Sequence, residues 1–534
     1  MKSGGVALLV VLALLWVGYA LGFVQRASCV VDGQRVYALF DDAMISMTYA
    51  RTLAEGHGLV WYPGAPRVEG FTNLLWTLWM AALHVTGVGT PYTSLLVQLS
   101  AVPLLALNLV LVWRLACELT GGSYGAGLAA AVLVGVCLPL NTWSLQGMEV
   151  APLAPLLTGA LLLAIRRLSP PGSAPGPLPY ALLGLGTLLR PDMAVLLLAF
   201  AAALAVLDRA HWRRHALYAV AALLLFGGGQ TLFRWLYYDD LLPNTYYLKM
   251  TGYPAALRVS RGLIVLAEYV LRTGWPLCLA PLVAVVWRRD RRAALIALMV
   301  VTQAAYSAYA GGDVWEDWGA ANRYLSVMLP GFLVLLAWMV HLGFTTARQR
   351  LTAAWAQAAL RPAAAGLVLL AALAFATSGS RANLRQLLLL DPPLHAADNW
   401  RMVRLGLELQ RCTTPQARIG VLWAGSLPYF ARRPAVDLLG KSDRHVAHLT
   451  VAPPTGPGRF RAFMPGHTKW DLRYSLREQG PDLIVHLFPY LEREARPWLL
   501  PAYAPLPWGD RTLWVRRGSP NVDAATLRGA AVAR

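Results

Sequence analysis

The chain has 534 residues, 57% of them hydrophobic and only 14% charged, and its mean hydropathy is +0.47. Soluble domains carry about 25% charged residues, so a fully water-facing surface, disorder, collagen and coiled coil are excluded, and a polytopic membrane protein is expected. The net charge of +19 arises from 47 basic and 28 acidic residues. Much of the excess lies in short loops between apolar runs, where positive charge fixes orientation, and no basic helix is interleaved with aromatics as nucleic-acid binding requires.

The first apolar run, Val6–Val24, follows Met1-Lys2 and reads as an uncleaved span starting on the inner side. Basic clusters at Arg166-Arg167, 208–215, 288–292 and 348–361 mark the same side. With these inside, the crossings fall near 6–24, 94–116, 124–141, 149–165, 178–190, 193–207, 216–236, 273–288, 293–310, 324–342 and 363–378. That is about eleven spans, with the C-terminus outside. The run 71–88 is read as a re-entrant or interfacial helix, because counting it as a span inverts the sidedness of the loops.

The outer side then receives residues 25–73, 141–149, 190–192, 237–272, 311–323 and everything from about 380 onward. From Ser380 the charge rises and the apolar runs shorten. Arg418–Gly425 and Pro481–Leu487 read as buried strands, and Asp398–Arg411 as a helix. The expected organisation is a mainly α, transmembrane helical bundle over residues 1–379, with a first outer loop at 25–73. A C-terminal extracytoplasmic α/β domain follows over 380–534.

Cys117, Cys137 and Cys278 read as small hydrophobes, while Cys29 and Cys412 share the outer side, which allows a disulfide between them. Only four of the basic residues are lysines (Lys2, Lys249, Lys441 and Lys469), against 43 arginines. The bias fits a GC-rich genome, and it also makes the remaining lysines worth closer attention.

The clearest chemical signal is Phe40-Asp41-Asp42-Ala43, just after the first span. Adjacent carboxylates repel, and near an apolar surface they need a cation, a metal or a proton. The plain alternative is a helix cap followed by a solvated helix. Further polar stretches lie in other outer loops: Arg67-Val68-Glu69-Gly70-Phe71-Thr72-Asn73, Gln146–Glu149, Arg190-Pro191-Asp192, Leu242–Lys249, Gly311-Gly312-Asp313 and Asn322-Arg323-Tyr324.

The segment FDDAMISMTYARTLAEGHGLVW with RVEGFTNLLW resembles the first outer loop of the GT-C superfamily of polyprenyl-phosphate-dependent glycosyltransferases. It is most similar to the arabinofuranosyltransferase-like branch. The tail stretches Asp437–His445 and Pro465–Asp471 are similar to that branch as well. The resemblance implies a sugar donor on a lipid phosphate, a hydroxyl acceptor on a cell-envelope glycan or glycolipid, and a bacterial inner membrane with the active site outside. The donor sugar would be arabinofuranose, or a hexose in the same chemistry.

On this resemblance Asp41 is the first choice as the base that takes the acceptor's proton. Asp42 would orient the acceptor or, with Asp41, hold a divalent cation such as Mg, Mn or Ca. The leaving phosphate needs fixed cations, and the candidates are Lys249, Arg190, Arg323, His57 and Arg67. Glu69, Asn73, Asn244, Tyr246 and Asp313 are candidates for substrate contact. Each has a plainer reading: Lys249 as an interfacial snorkelling side chain, Arg190 as the partner of Asp192, and Asp313 as a turn residue. Glu149 also reads as a charge that favours a helix dipole, and Glu316 and Asp317 read as solvated loop charge. His445 and His467 lack a third metal-ligand pattern. Trp61, Trp76 and Trp79 fit an interfacial aromatic belt or a sugar-stacking surface. A transporter or flippase of lipid-linked sugar is the rival reading, and it requires essential charges within the helices rather than in outer loops.

Overall fold

A computed structural model of the chain describes residues 3–168, 175–316, 322–452, 454–456 and 458–532. Lys2 and Asp317 lie outside the described residues. Two compact units divide the fold. The first comprises Met1–Arg26, Gln98–Gln230 and Arg258–Leu394; the second comprises Ala27–Val97, Thr231–Leu257 and His395–Arg534.

The first unit is helical. Among the described residues of the whole chain, seven helices are long and apolar enough to cross a membrane, or up to nine if two bent pairs each count as one span. Val150–Arg167 ends on Arg166 and Arg167, and Leu329–Arg350 ends on Arg348 and Arg350. These are the basic ends that the loop pattern predicts. Leu333, Val334, Leu335 and Leu336 are fully buried, so the helix from Leu329 is central. Leu14, Leu15, Leu224, Val286 and Trp287 are exposed on the outside of their helices. Lipid is the natural cover for such surface.

Two breaks have local causes. Tyr124–Gly135 and Leu138–Leu145 meet at 55°, with a proline in the first turn of the second helix. Ala255–Thr273 and Trp275–Arg288 meet at 100° around Gly274, whose φ of 107° is open only to glycine. Residues 255–273, left in an outer loop by the sequence reading, are therefore helical. Leu178–Leu189 and Met193–Leu207 have 12 and 15 residues. At about 1.5 Å per residue they reach roughly 18 and 22 Å, short of the ~30 Å hydrocarbon core. Leu74–Val85, within the run 71–88, also has 12 residues.

The second unit is built around a five-stranded sheet. Strands β1 (Cys29–Val31) and β2 (Gln34–Val36) first form a small hairpin through Asp32 and Gly33, both at positive φ. That is the turn chemistry a two-residue hairpin demands. The main sheet contains β3 (Ile419–Val421), β4 (Ala435–Asp437), β5 (Leu483–Ile484), β6 (Tyr503–Trp508) and β7 (Arg511–Arg516), in the order β4-β3-β5-β7-β6. β4, β3 and β5 run parallel, and the β6–β7 hairpin adds on antiparallel.

Sequence analysis places the boundary at 379/380, whereas this unit resumes at His395 and also gathers two upstream segments. Shared burial explains the difference. Ile45, Tyr49, Trp61, Phe71 and Tyr238 belong to the same apolar cluster as Met402, Leu405, Val421 and Leu427. Polar ties support it: Asn399 Nδ2 donates to the Leu39 carbonyl at 2.7 Å, and Trp400 Nε1 to that of Ala27 at 2.9 Å. Every residue from Ala43 to Thr52 in the helix Asp41–Ala54 is buried, so this helix is a core element. All five cysteines are free, Cys29 and Cys412 included.

Glu69 and Arg234 form a buried ion pair in this unit, with side-chain exposures of 2% and 3%. Burial pushes the Glu69 carboxyl up to about 7, against the pull of the guanidinium. Glu69 is therefore a structural partner of Arg234. Replacing Arg234 with Met leaves that carboxylate buried alone, at a cost of about 3–5 kcal/mol. Protonation relieves the cost, so the fall in melting temperature of the purified protein should be larger at pH 8 than at pH 6. Adding Glu69→Gln should recover most of it.

Candidate active site

The helix Asp41–Ala54 opens with its two carboxylates in the first turn, and neither serves as a side-chain cap. Negative charge at a helix N-terminus is favourable, yet the pair is held mainly by other partners. Asp41 is buried. Its Oδ1 accepts the Ser426 N–H at 2.8 Å and its Oδ2 the Gly425 N–H at 3.3 Å. Both donors sit in the turn that follows β3. A Cβ on Gly425 would collide with the Asp41 backbone, so only glycine allows this approach. Burial raises the Asp41 carboxyl above its ordinary range, although the Ser426 N–H and Lys441 oppose it.

Asp42 meets a cation. Lys441 Nζ lies 2.5 Å from Asp42 Oδ1, with side-chain exposures of 9% and 13%. Burial alone would lower the Lys441 ammonium, but the negative charges of Asp42 and Asp41 outweigh it and keep the group charged. The loop that carries Lys441 is fixed by Asp437 at the end of β4. That carboxylate accepts N–H bonds from Leu439 at 3.0 Å, Gly440 at 3.1 Å and Ser442 at 2.7 Å. Burial nonetheless pushes it up to about 6. Asn244 completes the clasp, donating from Nδ2 to the carbonyls of Gly440 and Lys441, both at 2.9 Å.

Further polar groups gather on this face. The Lys249 stem packs over Gly466, whose φ is 85° and whose added Cβ would lie 3.1 Å from Lys249 Cε. Next to Gly466, burial and then Lys441 push the His467 imidazole down to about 3, so it is neutral; the charges of Asp42 and Lys249 also act on it. Lys469 Nζ donates to the carbonyls of Ala447 at 2.7 Å and Tyr247 at 3.0 Å, and burial lowers it to about 8. Every lysine among the described residues thus lies in this unit. Tyr246 and Tyr247 meet edge to face, and Tyr247 stacks on His448 at 4.1 Å.

The remaining expectations fall in several places. Asn73 accepts from Ser46 at 2.8 Å and from Thr77 at 3.1 Å, which ties the helix Asp41–Ala54 to Leu74–Val85. Arg67 is exposed and lies over the Tyr237 ring at 4.6 Å, and His57 is exposed in a turn. Trp61 and Trp76 are buried rather than set in a belt, while Trp79 is exposed.

Arg190, Arg323 and Asp313 belong to the first unit and form their own buried network there. Arg190 pairs with Asp192 at 3.0 Å and with Glu149 at 3.3 Å, and lies over Tyr324 at 4.4 Å. Arg323 holds Asp313 through two bonds of 2.7 and 3.0 Å. Glu316 pairs with Arg261 at 3.4 Å and is only partly exposed. The Arg190–Asp192 pair matches the plainer reading of Arg190, whereas Asp313, Glu149 and Glu316 are each ion-paired instead of being a simple turn residue, a dipole charge or a solvated charge.

The carboxylate pair does not fit a divalent cation as arranged. Lys441 stands where a cation on Asp42 would stand. No group of three or more His, Cys, Asp or Glu side chains placed to hold a metal occurs among the described residues. In this structure the groups facing Asp41 and Asp42 are backbone N–H groups and a lysine. The glycine turn at Gly425 and the stretch Asp437–His445 are legible in the sequence; that Gly425, Ser426 and Lys441 face the Asp41–Asp42 pair, and that Arg234 holds Glu69, is not. The available signals were the rarity of lysine and the Asp-Leu-Leu-Gly-Lys-Ser run from 437 to 442.

Residues 393–521 match a family described as a domain of unknown function, DUF8728. No curated protein matches the chain. Among solved structures, ArnT from Cupriavidus metallidurans bound to undecaprenyl phosphate aligns over 97% of this chain and 99% of its own, with a TM-score of 0.55 and 14% identity. AglB, the oligosaccharyltransferase of Archaeoglobus fulgidus, in complex with an inhibitory peptide and a dolichol-phosphate, aligns over 97% of this chain and 74% of its own, at 0.53 and 11%. The oligosaccharyltransferase of that organism in complex with Zn and sulfate gives 95% and 73%, at 0.53 and 13%. These likenesses, all at 14% identity or less, show the fold: a mostly helical polytopic membrane architecture with a small C-terminal sheet.

Gly425→Ala should push the β3 turn away from Asp41. The melting temperature should fall by a few degrees, and the activity proposed below by about 10²-fold or more, the cost of misplacing one group in a built site. Ala424→Gly, one residue earlier, serves as the control and should retain most of the activity.

Proposed function

We propose that this chain is an integral-membrane glycosyltransferase. It moves a sugar from a polyprenyl phosphate to a hydroxyl on a cell-envelope glycan or glycolipid, on the outer face of a bacterial inner membrane. The observation that carries the reading is the built carboxylate pair of Asp41 and Asp42, one anion aimed by two backbone N–H groups and its neighbour neutralised by a lysine. A pair whose environments separate the two groups so clearly suits acid–base work. The fold supports the donor class: ArnT was solved with undecaprenyl phosphate, and AglB with a dolichol-phosphate. The basic loops at 166–167, 208–215, 288–292 and 348–361 support the orientation.

In this reading Asp41 is the base. A raised pKa suits a carboxylate that must take a proton near neutral pH, and each of its oxygens keeps a lone pair beyond the N–H bond it accepts. The acceptor O–H gives its proton to Asp41 as its oxygen bonds to the anomeric carbon. The bond from that carbon to the phosphate oxygen breaks, and its electron pair leaves on the polyprenyl phosphate. One displacement inverts the anomeric centre. Lys249 is the cation proposed to meet the departing phosphate, because its stem runs along the face that holds Asp42, Lys441 and His467. The ion pairs of Arg190 and Arg323 favour a structural role for both. The motif resemblance favours arabinofuranose as the sugar.

The test is transfer from synthetic polyprenyl-phosphate sugars, pentose and hexose, by the purified chain in lipid. Asp41→Asn should lower the rate about 10²–10⁴-fold while leaving donor binding in place. Because the base must be ionised, activity should fall as pH drops through a midpoint above the ordinary aspartate value of 3.8. Normal turnover by Asp41→Asn would remove the mechanism.

A further inference from the structure

We infer that Lys441 is a tethered cation that takes the place of a divalent metal at the Asp41–Asp42 pair, so that this chain works without one. The inference rests on the transfer reading above and adds what balances the charge of its site.

Two adjacent carboxylates bring two negative charges into a half-dry pocket, where at least one must be compensated. A divalent cation is one solution and needs oxygen ligands with free lone pairs. Here the ammonium of Lys441 is already in contact with Asp42 at 2.5 Å. The backbone that carries it is fixed. Its peptide carbonyl is held by Asn244 at 2.9 Å, and the amides on either side are gathered by Asp437. Asp437 and Asn244 therefore anchor the loop from which the Lys441 cation reaches Asp42. The choice of residue fits: in a chain with 43 arginines, a compact point charge stands where a planar guanidinium would crowd the pair.

Lys441 is a positioning residue in this account, acting through Asp42. The experiment uses the full chain in lipid nanodiscs with polyprenyl-phosphate arabinofuranose and polyprenyl-phosphate hexoses as donors, and Mn²⁺ as the metal probe. Wild type treated with EDTA should turn over within about twofold of its rate in added Mn²⁺. Lys441→Ala should lose about 10²-fold or more, the usual cost of one preorganised charge. It should regain at least tenfold of that with Mn²⁺ or with ethylamine, because the vacated space now faces two anions. Lys441→Met, which fills the space without charge, should lose as much and be rescued by neither. A purely structural lysine would not give that contrast. By electron paramagnetic resonance, wild type should show no stoichiometric Mn²⁺ site and Lys441→Ala should show one.

Loss of wild-type turnover in EDTA with recovery on Mn²⁺ would overturn the inference. So would a stoichiometric Mn²⁺ site in wild type that Asp42→Asn abolishes. If no donor is turned over by wild type, the transfer reading fails, while the resonance measurement still decides the metal question. If Lys441→Ala does not fold, the wild-type measurements and Lys441→Met decide it.

Discussion

The second unit depends on keeping two neighbouring carboxylates inside it. Asp41 and Asp42 open a helix whose following ten residues are all buried, so the carboxylates cannot move to bulk water without unpacking that helix. An isolated buried anion costs several kcal/mol. The structure meets that cost in two ways. Asp41 receives two backbone N–H bonds from the turn after β3, and Asp42 receives the ammonium of Lys441. Both solutions are supplied by the C-terminal sheet, which explains why residues 27–97 and 395–534 form one compact unit although some three hundred positions separate them.

Chemistry and architecture meet at the ends of the parallel strands. β3 ends in the turn bearing Gly425 and Ser426, and β4 ends at Asp437, from which the Lys441 loop springs. The strands are only three residues long, yet their adjacent parallel ends hold both groups against one carboxylate pair. Loops fixed by a sheet are where functional groups can be placed most rigidly. The network around Arg190 and Arg323 shows the other use of charge in this chain, with each guanidinium matched to carboxylates inside the helical unit.

Much of this was legible in the sequence, and the limits have physical causes. Apolar runs and basic loops announce a helical membrane protein because lipid imposes length and charge rules on every span. The DD motif was legible because adjacent carboxylates always need compensation. The partner of that pair was not, since Lys441 is 399 positions away and the tie is tertiary. The Asp32-Gly33 hairpin and the β6–β7 hairpin were missed, although the first carries a standard turn signal and the second turns at Gly509, with a φ of 57°. Glu316 reads as solvated among loop charges but is half-buried on Arg261, because a polar stretch between apolar helices can fold inward once a counter-ion faces it. The lysine was not legible for the same reason: a carboxylate pair announces the need for positive charge but not its source.

The coupling between Asp42 and Lys441 is the most direct measure of this account. A double-mutant cycle on the transfer rate, with Asp42→Asn, Lys441→Met and the two combined, isolates it. The account predicts that the combined variant is no slower than the worse single variant, because each change removes the same ion pair. Rate losses that multiply in full would contradict it, since the two groups would then act independently.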